Sequence, residues 1–325
     1  MPEQARAESI QDAGVTDLQK VDAVVPLTLR DYDRFEILRK SCNRFLRGLG
    51  TCWVVTPDRE AGTLSGLIQD KRFRVVPETD LVPEFSLFRS IPGWYKQQLI
   101  KMAIATAIET PFYLTLDADV ICVRPTDTAD LVKQNRAACH LIPGSLSRGK
   151  ARWYEWAEAT LNLEVKRRQL HNVTPAVLSR EAMLRLQEYL TTLYAHMDLS
   201  PGHRGRKRTL LLSLLRRGGR VVPAGTSAHE WLCGWRTYLA LSLPWTEYAL
   251  YYSFLEGTGL FHQYHFETDC CLYSVERSIW YEDQLSSWNP SRVFDPGNPY
   301  CFVVFQSTLP VSAERLWDSV RTFIE

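Results

Sequence analysis

The chain lacks the cysteine spacing of a zinc site. Its eight cysteines form no C-x-x-C pair, and Cys270 and Cys271 are neighbours that cannot easily ligate one metal ion or bridge each other. Most of the others lie in apolar runs, as reduced core cysteines do. The sequence therefore predicts an intracellular protein without structural zinc.

Long apolar runs are absent as well. No stretch approaches the roughly 18 apolar residues of a membrane span, and residues 1–20 contain no apolar core of a signal peptide. The net charge of +1 provides no overall field for nucleic acid. We expect a cytoplasmic protein, soluble or peripheral to the inner face of a membrane, with a disordered segment over residues 1–20 and no nucleic-acid partner.

Apolar runs and helix-spaced segments alternate over residues 21–126. This order predicts parallel strands joined by helical crossovers, a Rossmann-type half whose ligands lie beyond the carboxyl ends of the strands. The predicted strands are 21–28, 51–57, 72–80 and 111–120, and the predicted helices are 30–50, 59–70 and 93–108.

Residues 127–325 have a mixed pattern without repeats or low-complexity linkers. We expect them to form a second, mixed α/β half packed against the first, so that the fold class is α/β. Helices are predicted near 152–170, 180–197, 207–217, 227–241, 246–256 and 312–324, and strands near 137–142, 171–178 and 300–306.

The stretch "PFYLTLDADVICV" ends an apolar strand in two aspartates, Asp117 and Asp119. Side chains two residues apart on extended backbone point to the same side, so these carboxylates repel each other and favour a hard cation. Mg²⁺ or Mn²⁺ needs only one or two protein carboxylates when substrate phosphates supply further ligands. The pair is typical of a nucleoside diphosphate site, although aspartates that cap a turn and the following helix give the same pattern.

The segment "FYLTLDADVICVRP" resembles the D-x-D segment of glycosyltransferases with the GT-A fold. Together with "GWYKQQLIKMA", "HNVTPAVLSR" and "WTEYALYYSFLE", it is similar to a little-characterised bacterial family of glycosyltransferase-like proteins, over roughly residues 20 to 270. The resemblance implies transfer of a sugar from a nucleotide-sugar donor to a glycan or lipid-linked acceptor in bacterial surface polysaccharide synthesis, with Mn²⁺ or Mg²⁺ bound by Asp117 and Asp119.

The same resemblance implies which residues bind donor and acceptor. Trp94, Gln97, Gln98 and Lys101 share a helix face, where Lys101 would offset phosphate charge; a solvated face anchored by the tryptophan is the alternative. The implied donor set also contains Val25, Pro26, Leu27, Thr28 and Ala118, and the implied acceptor set contains Asn172, Thr174 and Trp245.

Glu247 is the candidate catalytic base. In inverting GT-A enzymes an acid at a helix start deprotonates the acceptor hydroxyl, but Thr246 can cap this helix and an acid in the first turn is favoured by the helix dipole in any case. His262 and His265 are candidates for a third metal ligand, with His265 preferred; histidines satisfied by other hydrogen bonds are the alternative.

Three other functions fit parts of the pattern. A haloacid-dehalogenase phosphatase also has D-x-D after a strand, but there the strand is the first of the domain. A nucleotidyltransferase has a glycine-rich loop after its first strand, which "VPLTLRDYDRF" lacks. A non-enzymatic glycan-binding protein would not need the metal pair. The basic run 203–208 suggests a loop over the diphosphate or a peripheral membrane contact, with a solvated loop as the simplest interpretation.

Overall fold

The structure is a computed structural model that describes part of the chain. The described residues are 20–86, 91–142, 148–165, 170–171, 174–195, 234–241, 245–268, 272, 274 and 276–325. The predictions for residues 1–19, the basic run 203–208, the helix near 207–217 and residues 227–233 of the helix near 227–241 lie outside the described residues.

Helices and short strands alternate along the chain. The strands are β1 Val21–Pro26, β2 Leu46–Arg47, β3 Leu49–Thr56, β4 Phe73–Pro77, β5 Phe112–Thr115, β6 Val120–Cys122, β7 Thr126–Asp127, β8 Val132–Lys133, β9 Arg136–Cys139, β10 Leu141–Ile142, β11 Leu170–His171, β12 Ala176–Ser179, β13 His265–Glu267 and β14 Phe302–Val304. The α-helices are α1 Tyr32–Phe45, α2 Asp58–Leu67, α3 Glu78–Leu81, α4 Gly93–Ala103, α5 Thr128–Leu131, α6 Arg148–Leu161, α7 Arg180–Ala195, α8 Trp235–Leu241, α9 Glu247–Thr258, α10 Phe261–Tyr264, α11 Pro290–Val293 and α12 Ala313–Ile324. Short 3₁₀ helices cover Leu29–Asp31, Pro83–Ser86, Ile104–Thr106 and Glu282–Ser287.

The central sheet has five strands in the order β12-β5-β1-β3-β4. β5, β1, β3 and β4 are parallel, and β12 pairs antiparallel with β5 at one edge. The four parallel strands are those that the apolar runs predict, so the predicted α/β class is confirmed. The division into halves at residue 126 stays a prediction.

Side chains of the central strands alternate between two apolar cores. Val24, Val55 and Tyr113 pack into a core with helices α4, α6, α7, α8 and α9. Val25 and Leu114 pack into a second core on the opposite side, which also contains residues of α1 and α2. A sheet that is covered on both faces exposes its strand ends, and there the ligands of such sheets bind.

Several predicted bounds were wrong. The helix predicted near 152–170 begins at Arg148 and ends at Leu161, because Asn162 has a left-handed φ of 51°. The helix predicted over 93–108 ends at Ala103 and continues as a 3₁₀ turn. The strand predicted near 171–178 is two strands, β11 and β12, which belong to different sheets.

Neither a membrane-spanning helix nor a disulfide occurs within the described part of the chain. None of its helices is both long and apolar enough to cross a bilayer. Among the cysteines described there, Cys42, Cys52 and Cys122 are buried free thiols, and Cys139 and Cys301 are buried as well.

Candidate active site

A cavity of about 380 Å³ opens beyond the carboxyl end of β5. Its wall combines acidic, basic and aromatic side chains from both parts of the sequence. The lining residues are Trp94, Gln98, Lys101, Asp117, Asp119, Lys150, Trp153, Thr174, Thr246, Glu247, Tyr248, Trp280, Tyr281, Val304 and Gln306. Most small-molecule sites have this composition, an aromatic wall with a few convergent polar groups.

Asp117 and Asp119 enter the cavity because β5 ends just before them. The Leu116 N–H donates to the Val24 carbonyl at 2.9 Å, so the chain leaves the sheet beside β1. The side chain of Asp117 is 34% exposed, whereas Asp119 is buried. Burial and the neighbouring charge of Asp117 raise the pKa of Asp119 to about 6. The two aspartates therefore form a strained pair of like charges that a cation would relieve.

Asp119 also anchors the C-terminal part of the chain. Its Oδ2 accepts a hydrogen bond from the Ser307 N–H at 2.8 Å, and its carbonyl accepts one from the Phe305 N–H at 2.9 Å. The Arg34 guanidinium donates to the carbonyls of Phe305 and Val311. Residues 305–311 are thereby fixed beside the aspartates.

Lys101 supplies a buried positive charge. Its Nζ lies 2.7 Å from Asp117 Oδ1 and 3.2 Å from Glu247 Oε1, and it donates to Thr174 Oγ1 at 2.8 Å. These three partners match the three N–H donors of an ammonium group. Burial alone would lower the pKa of Lys101, but the carboxylates of Asp117 and Glu247 outweigh that cost and raise the pKa well above its ordinary value. Lys101 is therefore a permanent cation of the site.

Glu247 is the first residue of helix α9, and its carboxyl group is covered. The Thr246 hydroxyl accepts a hydrogen bond from the Ala249 N–H at 3.0 Å, which confirms the predicted N-cap. Glu247 is 0% exposed, and burial raises its pKa while Lys101 acts in the opposite direction. Its Oε2 accepts no hydrogen bond from another described residue. A buried carboxylate oxygen without a hydrogen-bond donor destabilises the folded state, and such unsatisfied groups often have a functional role.

Three hydroxyl groups form a hydrogen-bonded cluster next to Lys101. The Tyr248 hydroxyl lies 2.7 Å from both Thr115 Oγ1 and Thr174 Oγ1, and Thr115 Oγ1 donates to the Ala176 carbonyl. One buried polar cluster next to Lys101 thus connects strands β5 and β12 with helix α9. This packing holds the ammonium group between the two carboxylates.

The donor atoms fit a divalent cation that is shared with a ligand. In the described residues no group of three or more His, Cys, Asp or Glu side chains could hold a metal ion. Asp117 and Asp119 provide two hard oxygen donors, and one oxygen of each is not used by the contacts above. Mg²⁺ and Mn²⁺ are commonly held by one or two carboxylates together with substrate phosphates. The residues present therefore fit a cation bound jointly with a diphosphate.

A family model covers almost the whole chain. The model describes a family of unknown function, DUF6492, and matches residues 18–325. The chain belongs to that family. No curated protein matches it.

Solved structures similar to this DUF6492 chain include two transferases and one synthase. The apo-form glycosyltransferase GlyE of Streptococcus pneumoniae is 12% identical with a TM-score of 0.39, and the match covers 94% of this chain and 62% of GlyE. Mouse xyloside xylosyltransferase 1 in its apo form is 10% identical with a TM-score of 0.40, over 90% of this chain and 99% of that one. The 4-diphosphocytidyl-2C-methyl-D-erythritol synthase of Anaerococcus prevotii is 12% identical with a TM-score of 0.33, over 69% of this chain and 97% of that one. The chain thus spans less than two thirds of the length of GlyE.

The structure of this DUF6492 chain brings seven of the predicted site residues to one cavity. They come from the turn after β5, from α4, from the start of α9 and from the segment before β12. They are Trp94, Gln98, Lys101, Asp117, Asp119, Thr174 and Glu247.

The histidines are not brought to the aspartates. His265 is buried, its Nε2 lies 2.7 Å from the Tyr251 hydroxyl, and its ring stacks on Phe261 with centroids 5.5 Å apart. His262 is exposed on α10. Neither lines the cavity, because the segment that carries them pairs through β13 with β9 rather than with β5.

The remaining predicted residues also lie away from the cavity wall. Val25, Pro26 and Leu27 are buried at the end of β1, and the Thr28 hydroxyl donates to Asp31. The list of lining residues also lacks Gln97, Ala118 and Trp245; Ala118 packs in the second apolar core, and the Trp245 indole donates to the Leu239 carbonyl. Asn172 lies outside the described residues.

Sequence reasoning missed several residues of the wall. Tyr248 follows Glu247 in the stretch "WTEYALYYSFLE" and lies in the first turn of α9. Both residues line the cavity, so this motif could have identified Tyr248 as a site residue. Trp280, Tyr281 and Gln306 also line the cavity and come from segments without a motif. Their approach depends on the pairing of β14 with β6, which no local pattern indicates.

Proposed function

We propose that this chain is a glycosyltransferase that moves a sugar from a nucleotide-diphosphate donor to a glycan or lipid-linked acceptor. The observation that carries the proposal is the meeting of Asp117, Asp119, Lys101 and Glu247 in one cavity beyond the central sheet. Two carboxylates, one buried ammonium group and one further buried carboxylate suit a reaction in which a diphosphate leaves and a hydroxyl loses a proton.

Asp117 and Asp119 would hold Mg²⁺ or Mn²⁺. When bound, such a cation neutralises the charge that develops on the leaving diphosphate. Lys101 adds a second positive charge beside Asp117, fixed by Thr174 and Glu247. An ammonium group that is already desolvated and oriented costs no reorganisation when the phosphate charge develops. Its role is electrostatic stabilisation of the leaving group.

Glu247 would act as the base in an inverting reaction. The bond from the sugar's anomeric carbon to the diphosphate breaks and its electron pair leaves with the diphosphate; the acceptor oxygen bonds to that carbon and its proton passes to Glu247. Burial raises the pKa of Glu247, which strengthens it as a base. Because the carboxylate is covered in this structure, this role requires the cavity to open toward it when the acceptor binds. A retaining reaction would not use Glu247 in this way.

The proposal is tested with a panel of nucleotide sugars and Mn²⁺, with release of nucleoside diphosphate as the readout. We expect release with one donor class, and loss of release in Asp117→Asn and Asp119→Asn. Asp130→Asn, an exposed aspartate of α5, is the matched control and should not change the rate. No release with any donor, together with trapping of the protein by fluoride analogues of phosphate, would favour a phosphatase.

Glu247→Gln distinguishes a catalytic base from a residue that only holds Lys101. If Glu247 is the base, this substitution should lower the rate of transfer by about 100-fold or more, while the cation-dependent stabilisation of the protein by diphosphate persists. If Glu247 serves only to hold Lys101, the rate and the diphosphate binding should fall together. We expect the first result.

The cellular setting belongs to the same proposal. A cytoplasmic enzyme of bacterial surface polysaccharide synthesis, with a peripheral membrane contact through residues 203–208, would meet both a soluble nucleotide-sugar donor and a lipid-linked acceptor. The removal of residues 203–208 should reduce binding to anionic vesicles if this contact exists.

A further inference from the structure

Two exposed aromatic rings stand at the wall of the active-site cavity. The large hydrophobic side chains that are exposed in the described part of the chain are Leu29, Leu67, Trp94 and Tyr281, and both aromatic ones line this cavity. Trp94 is 43% exposed and Tyr281 is 70% exposed. Large aromatic rings in water cost free energy, and their concentration beside one cavity indicates a binding surface.

The backbones that carry these rings are fixed. Trp94 lies in the first turn of α4, and its carbonyl accepts a hydrogen bond from Gln98 Nε2 at 3.2 Å. Gln284 Oε1 accepts hydrogen bonds from the N–H groups of Trp280 and Tyr281 at 2.8 Å and 3.1 Å. The Tyr281 ring is thus exposed although its main chain is held by a helix start. These rings form a preformed surface.

Trp94 also packs on another ring of the cavity wall. The Trp94 and Trp153 ring centroids lie 6.3 Å apart at an interplanar angle of 33°. Aromatic rings in direct contact have centroids about 4.5–7 Å apart, so no ring of a ligand fits between these two, and a ligand can contact Trp94 only where Trp153 leaves it open. A pyranose has one C–H face that can stack on such a ring and a rim of hydroxyls.

Polar side chains surround the aromatic wall. Gln98, Lys150 and Gln306 line the same cavity and provide amide and ammonium groups for hydroxyls. The buried end of the cavity contains Lys101, Asp117 and Glu247, which suit the diphosphate and the reacting atoms. The exposed rings are left for the part of the substrate that remains open to solvent.

We propose that Trp94 and Tyr281 form a stacking platform for a pyranose ring of the acceptor, so that the acceptor is a glycoside. This inference rests on the proposed function, and it assigns Trp94 to the acceptor rather than to the donor. Saturation-transfer NMR tests it with methyl pyranosides of glucose, galactose, mannose and N-acetylglucosamine as probes. The variants are Trp94→Ala, Trp94→Phe and Tyr281→Ala, with Leu67→Ala as the exposed apolar control outside the cavity.

We expect at least one pyranoside to receive saturation mainly on the C–H protons of one ring face. That signal should be lost in Trp94→Ala and Tyr281→Ala and kept in Trp94→Phe and Leu67→Ala. A parallel arm with nucleoside diphosphates and Mg²⁺, which is diamagnetic, should be unchanged in all four variants. The inference is overturned if no pyranoside receives saturation, if Trp94→Ala keeps the signal, or if Trp94→Ala removes the nucleotide signal.

The two arms separate this inference from the proposed function. Diphosphate binding without pyranoside binding would leave the glycosyltransferase proposal in place and remove the platform. Pyranoside binding that depends on Trp94, with no nucleotide binding under any cation, would support the platform as a sugar-binding surface and contradict sugar transfer.

Discussion

At the scale of single residues, two carboxylates share one buried ammonium group. Lys101 contacts Asp117 and Glu247, and its side chain is only 2% exposed. Pairs of buried charges gain little over apolar packing, but removal of one partner leaves an uncompensated charge in a region of low dielectric. The stability of the site should therefore depend strongly on Lys101.

Lys101→Met should lower the free energy of unfolding by about 3–5 kcal/mol, because Glu247 then stays buried without its cation. Chemical denaturation measures this change. The control is Arg185→Met, since Arg185 forms an exposed pair with Glu181 and such pairs contribute under about 1 kcal/mol. The double variant Lys101→Met, Glu247→Gln should recover part of the loss. If Lys101→Met and Arg185→Met have the same free energy of unfolding, the buried-charge account is contradicted.

The raised pKa of Asp119 has a consequence for pH. Its pKa rises from 3.8 to about 6 in the folded protein, so the folded state binds the proton more tightly than the unfolded state does. The stabilising contribution of the protonated form is full below pH 4 and is lost as pH rises to about 6. Cation binding requires the ionised carboxylate.

The affinity for Mn²⁺ should therefore weaken as pH falls below about 6, by about tenfold per pH unit where one proton is displaced. Electron paramagnetic resonance of free Mn²⁺, recorded with a saturating nucleoside diphosphate, measures this dependence. An affinity that does not change between pH 7 and pH 5 would show that Asp119 does not bind the cation.

At the scale of elements, the start of helix α9 places Glu247. Thr246→Ala removes the acceptor for the Ala249 N–H and should cost about 1 kcal/mol of stability. Because the first turn also positions Glu247 beside Lys101, we expect the proposed transferase activity to fall as well. Thr246→Ser keeps a hydroxyl and should retain both stability and activity. If Thr246→Ala matches Thr246→Ser in both measurements, the cap does not position the site.

Sequence patterns predict those elements in which buried apolar residues recur with the spacing of a strand or a helix. The apolar runs at β1, β3, β4 and β5 mark strands, and the spacing in α4 and α9 marks helices. Predicted helix ends are less accurate, because a single left-handed residue such as Asn162 ends α6. The pairing of β14 with β6 could not be predicted, since it joins residues some 180 positions apart through backbone hydrogen bonds.

The candidate site divides in the same way. Asp117, Asp119, Lys101 and Glu247 belong to motifs that stand at the ends of predictable elements, and the structure brings them together. The third ligand predicted at His265 has no counterpart in the cavity, because the Tyr251 hydroxyl and the ring of Phe261 hold that histidine in the core. Which strand a C-terminal segment pairs with is a property of the tertiary structure, and a local motif does not encode it.

At the scale of the whole molecule, the central claim is that the aspartates hold a cation only together with a diphosphate. Two protein carboxylates are too few for a closed metal site, so Mn²⁺ alone should stabilise the protein little. A ligand at a hundredfold excess over its Kd should add about 2.7 kcal/mol to the free energy of unfolding.

The measurement that tests this claim most directly is thermal unfolding with a panel of nucleoside diphosphates, with and without Mn²⁺. The account predicts that at least one diphosphate stabilises the wild-type chain only with Mn²⁺, and that Asp119→Asn loses the effect while Asp130→Asn keeps it. Stabilisation that persists in Asp119→Asn, or that is absent with every diphosphate under every cation, would contradict the account.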